Sequence, residues 1–98
     1  MSVKSLAIPR SFDLGGHRIR VKINTTDDHD NAGDWSASEN TIRLWTYGNS
    51  HEYVMQSFLH ELAHAILDIW GRPEASSDEN LVDVLGQGLL QFLKSARY

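Results

Sequence analysis

Apolar positions between residues 50 and 70 recur at helical spacing. Met55, Phe58, Leu59, Leu62, Ile66 and Ile69 fall on one side of such a repeat. Asn49 and Ser50 are both candidate N-caps, and Glu52, three residues after Asn49, makes a relaxed capping box. Gly71 followed by Pro73 is a stop signal. The pattern predicts a helix from about Ser50 to about Trp70. Leu81, Val82, Leu85, Leu89, Phe92 and Leu93 predict a second amphipathic helix running to about Ser95. A turn at Gly71–Ser76 would fold it back on the first.

The first half alternates instead. Phe12 and Leu14 precede Gly15-Gly16, a two-residue hairpin signal. From His17 to Asn24, Ile19, Val21 and Ile23 point toward a core, and Arg18, Arg20 and Lys22 toward solvent. Thr25 to Asn31 is polar and reads as a loop. Trp35 to Ala37 reads as a short strand, Ser38-Glu39-Asn40 as a turn, and Thr41 to Trp45 as a further strand. The expected fold class is α+β: a small antiparallel sheet of three or four strands packed on two helices. No linker, repeat or low-complexity segment interrupts it, so residues 1–98 read as a single domain.

Composition narrows the partners. The hydrophobic share of 41% and charged share of 22% are those of an ordinary globular domain. A net charge of −4, with a pI near 5.6, argues against nucleic acid. With no cysteine, disulfides and thiolate metal sites are excluded, which fits a cytoplasmic protein. Met1 to Pro9 has one lysine and no long apolar run, so it does not read as a signal peptide. No segment has transmembrane length, so no membrane partner is expected.

The first helix carries the chemistry. His60-Glu61-Leu62-Ala63-His64 is an H-E-x-x-H motif with apolar residues at both variable positions. Histidines at i and i+4 lie about 40° apart around a helix and about 6 Å apart along it. Both imidazoles can therefore reach one zinc ion. Glu61 sits beside that ion as a general base, taking a proton from the water that attacks a carbonyl.

A catalytic zinc takes three protein ligands and keeps one position open. The third must come from elsewhere. His17, His29 and His51 all precede the helix, and Asp68 lies too far along it to share an ion with His60. Asp68 reads as solvated, or as orienting His64. Glu79, in the first turn of the second helix, could face both histidines. Ser76-x-x-Glu79 is also a capping box, in which Glu79 would only bind backbone. Asp83, one turn on, reads as a partner for the outer N–H of a ligating histidine, or as the third ligand itself.

These residues resemble those of the gluzincin zinc metallopeptidases, in which H-E-x-x-H on one helix is completed by the glutamate of E-x-x-x-D on the next. Here Glu79-Asn80-Leu81-Val82-Asp83 supplies the second motif. The short form is similar to minigluzincins, to small phage and bacterial H-E-x-x-H proteins, and to the ImmA/IrrE and SprT-like groups. The resemblance implies His60, His64 and Glu79 as ligands, Glu61 as base and Asp83 as a supporting carboxylate. It implies hydrolysis of a peptide or protein substrate. Tyr47, His51, Tyr53 and Arg43 are candidates for stabilising the oxyanion, and the Trp35–Ala37 segment is a candidate edge for an extended peptide.

Two other readings stand beside this one. A domain could hold zinc for stability alone and work by protein contact, with Trp35, Trp45 and Trp70 available to an interface. The presence of Glu61 and the lack of a fourth ligand speak against it. Asp28-x-Asp30-x-Ala32-Gly33, with Glu39 at position twelve, nearly matches a calcium loop. Alanine at position five and strand-like flanks break that match.

Overall fold

The computed structural model describes residues 6–28 and 30–98. Residues 1–5 of the N-terminal segment, and His29 of the calcium-like loop, lie outside them. β1 (Ser11–Leu14) and β2 (His17–Asn24) form the expected hairpin. Gly15 and Gly16 both have positive φ, +53° and +84°, as a two-residue hairpin turn of this hand requires. Phe12 pairs with Ile19 across it.

The chain then crosses to the far edge of the sheet as β3 (Gly33–Ser36), turns through Asn40 at φ +50°, and returns as β4 (Thr41–Trp45). The sheet order is β1-β2-β4-β3. β3 and β4 are antiparallel, but β2 and β4 are parallel, with Val21 beside Ile42 and Ile23 beside Leu44. The sheet is therefore mixed, not wholly antiparallel as expected. Burial explains the order. Ile42 and Leu44 are fully buried, and a central position pairs both edges of the strand that carries them. The link over residues 25–32 is long enough to step across two strand spacings, about 10 Å.

α1 (His51–Ile69) packs over β3 and β4. Ser50 is its cap, its hydroxyl accepting the Tyr53 N–H at 3.1 Å, while the Asn49 amide donates to the Trp45 carbonyl. Because α1 lies over β3 and β4, only part of β2 is covered. Ile19 is fully buried, Val21 half-buried, and Ile23 exposed rather than inward as expected. Ile19, Ile42 and Leu44 meet Val54, Met55, Phe58 and Leu59 of α1, and Phe12 packs edge-on to Phe58 at 6.1 Å.

A single helical turn, α2 (Pro73–Ser76), leads into α3 (Glu79–Ser95). Asp78, not Ser76, caps α3, its carboxylate accepting the Leu81 N–H at 3.1 Å. The buried face of α3 is Val82, Gly86 and Leu90. Leu81, Leu85, Leu89 and Phe92, expected to face the core, are exposed. Gly86 accounts for the rotation. A Cβ there would lie 3.2 Å from the His60 backbone, so its bare Cα lets α3 press directly on α1. Among the described residues, no helix is long and apolar enough to cross a membrane.

Candidate metal centre

That close crossing brings the three candidate ligands together. His60 and His64 lie one turn apart on α1, with ring centroids 5.1 Å apart. Both turn Nε2 toward Glu79 on α3. His60 Nε2 is 3.2 Å from Glu79 Oε2, and His64 Nε2 is 3.1 Å from Oε1. Two donors held by one tetrahedral zinc at about 2.0–2.1 Å stand about 3.3 Å apart. Among the described residues these three form a group able to hold a metal ion, with donor atoms all within 4.8 Å of one another.

The outer nitrogens have their own partners. His64 Nδ1 is 3.1 Å from the hydroxyl of Ser76, which is buried on α2. If Nε2 offers its lone pair to a cation, Nδ1 carries the proton and donates it to Ser76 Oγ. His60 Nδ1 faces Asp83 Oδ1 at 3.7 Å, and the other Asp83 oxygen accepts from the Gln87 amide at 2.8 Å. The two carboxylates on α3 thus divide the histidines: Glu79 meets Nε2 of both, and Asp83 meets Nδ1 of one.

Glu61 faces the same cleft. Burial pushes its pKa up to about 7; the charge of His60 opposes the shift, and Asp34 and Glu79 add to it. The β3 backbone passes directly beside it. A Cβ at Gly33 would stand 3.5 Å from Glu61 Cγ, 3.1 Å from the Arg43 carbonyl and 3.0 Å from Leu44 Cδ2. The cleft between α1, the start of α3 and β3 measures about 660 Å³.

Several expected residues sit elsewhere. Asp68 neither stands free in solvent nor bonds His64; it accepts the indole N–H of Trp35 at 2.8 Å, tying β3 to α1. Of the four oxyanion candidates, Tyr53 lines the cleft. Arg43 is held by both oxygens of Asp34, the His51 ring meets the Leu6 carbonyl, and Tyr47 lines a smaller neighbouring cavity. The edge segment beside the cleft is Gly33–Ser36, two residues earlier at its start than Trp35–Ala37. In the calcium-like loop, Gly33 opens a strand and Glu39 lies in a turn.

Ser76, Gly33 and Gly86 had no signal of this kind in the sequence. Ser76 stood out only as a cap, a role that Asp78, directly before the helix, takes. No known protein family, curated protein or solved structure matches the chain.

Proposed function

We propose that this protein is a zinc-dependent metallopeptidase of the gluzincin kind, with His60, His64 and Glu79 as metal ligands and Glu61 as general base. One observation carries the reading. Both Nε2 atoms converge on the Glu79 carboxylate while Glu61 faces the same cleft. Two imidazoles and one carboxylate are a donor set for a catalytic zinc with a position left open. When bound, such a metal polarises a carbonyl and acidifies water.

The remaining work falls to side chains. Glu61 accepts the proton of the attacking water and returns it to the leaving amine. Ser76 is within hydrogen-bond distance of the outer nitrogen of His64, and Asp83 faces that of His60 at 3.7 Å, so both favour rings turned toward Glu79. Among the described residues β3 is an edge strand beside the cleft, and such an edge suits an extended peptide held by main-chain pairing. Tyr53, which lines the cleft, is our candidate for stabilising the developing oxyanion.

Elemental analysis of wild type beside Glu79→Ala, with a peptide-cleavage screen of wild type beside Glu61→Gln, tests this. The expected result is one zinc per chain, lost in Glu79→Ala, and hydrolysis that Glu61→Gln abolishes while keeping its zinc. Cleavage undiminished in Glu61→Gln would sink the mechanism. Zinc bound without hydrolysis of any peptide would favour the binding-domain reading.

A further inference from the structure

β3 is four residues long and, among the described residues, pairs with β4 alone. So short an edge strand has little backbone pairing to keep it from opening locally. Its side chains hold it on both faces of the sheet. Asp34 binds Arg43 of β4 through two contacts of 2.8 Å. Trp35, on the opposite face, donates its indole N–H to Asp68 of α1 at 2.8 Å.

β3 meets α1 at two places. At Gly33 the bare backbone lies against Glu61, where a Cβ would stand 3.5 Å from Glu61 Cγ. At Trp35 the contact is the bond to Asp68. Glu61 and Asp68 stand about 10 Å apart along α1, and Gly33 and Trp35 about 7 Å apart along β3. The strand therefore runs beside the helix, and His64 lies between the two contacts in the order of α1. Gly33, Trp35, Glu61, His64 and Asp68 all line one cleft.

The two contacts differ in kind. Gly33 has no side chain with which to grip the helix. The Trp35 bond is directional and runs to a carboxylate, which makes it the stronger of the two. The indole body also packs against the core, so the ring is already half held and the N–H fixes the rest.

We infer that the Trp35–Asp68 hydrogen bond is the tie that holds β3 in place along the cleft, and that both are positioning residues for a peptide drawn out along that strand. The inference rests on the peptidase reading. Strand addition is tightest on an edge already ordered, because ordering it at the moment of binding subtracts from affinity. Neither residue belongs to the proposed ligand set or supplies the base. Loss of the tie therefore weakens the hold on substrate and leaves the chemical step nearly intact.

Two measurements on Trp35→Phe, Asp68→Ala and Asp68→Asn test this. The first is amide hydrogen exchange over residues 33–36, read by mass spectrometry without any substrate. Trp35→Phe and Asp68→Ala should each speed it about tenfold, with exchange across residues 82–90 of α3 unchanged. The second is the kinetics of the quenched fluorogenic peptide that wild type cleaves fastest. Both variants should raise KM about tenfold, with kcat within about twofold and zinc content unchanged. Asp68→Asn keeps an oxygen that accepts the indole N–H, so it should recover most of what Asp68→Ala loses in both measurements. Unchanged exchange in both Trp35→Phe and Asp68→Ala overturns the tie. A fall in kcat at constant KM overturns the positioning role, and Asp68→Asn as impaired as Asp68→Ala shows that the charge, not the bond, matters and overturns it too. A wild type that cleaves no peptide defeats the peptidase reading, yet faster exchange in the two variants would still uphold the tie.

Discussion

Ser76 acts on the nitrogen that a metal at the proposed centre would leave unused. Its hydroxyl meets His64 Nδ1 and holds that ring with Nε2 toward Glu79. Removing it leaves α3 capped, because Asp78 does that work. Ser76→Ala should therefore lower zinc affinity about 10–100-fold with helix content unchanged, as read by chelator competition and circular dichroism. Equal affinity in the variant would reduce Ser76 to packing. At this scale the H-E-x-x-H motif was legible because its geometry lies within one helix. Ser76 was not, because its partner comes from another element and its spacing to Glu79 imitates a cap.

Elements are positioned by what is absent as much as by side chains. Gly86 lets α3 touch the α1 backbone at His60, two turns along from Glu79. In Gly86→Ala a methyl group would stand 3.2 Å from His60 N and Cα, backbone atoms that cannot swing aside. The helices must separate by a few tenths of an ångström, carrying Glu79 away from the histidines. We expect destabilisation of about 1–3 kcal/mol in urea unfolding and a parallel loss of zinc affinity by titration. Unchanged stability would show that the helices slide without loss. The rotation of α3 follows from the same contact. Its apolar residues spread over more than one face, and periodicity alone does not choose which face docks. A glycine carries no weight in a hydrophobic pattern, yet here it marks the docked face.

At the scale of the molecule, one small core joins the sheet to α1 and α3, and the candidate centre ties α1 to α3 at the other end of their contact. A domain of this size is marginal by area alone. Zinc at about 100 times its dissociation constant should add about 2.7 kcal/mol. For a chain of this length that raises Tm on the order of 10 °C. Scanning calorimetry with and without zinc checks the shift, and Glu79→Ala should abolish it. The parallel β2–β4 pair also belongs to this scale. Each strand and the Gly15-Gly16 hairpin were readable locally, but strand order depends on which strand must have both edges covered.

Local features were legible in the chain alone: two helices with their stops, four strands, and the placement of His60, Glu61 and His64 together on one helix. Those follow from spacing, turn chemistry and caps, all acting over a few residues. The mixed sheet, the docked face of α3 and the pairing of Trp35 with Asp68 emerge only when the elements pack together. The same packing decides that Glu79 meets both Nε2 atoms while Asp83 meets Nδ1 of His60. These depend on backbone approach and burial between segments far apart in the chain, where no local repeat carries the information.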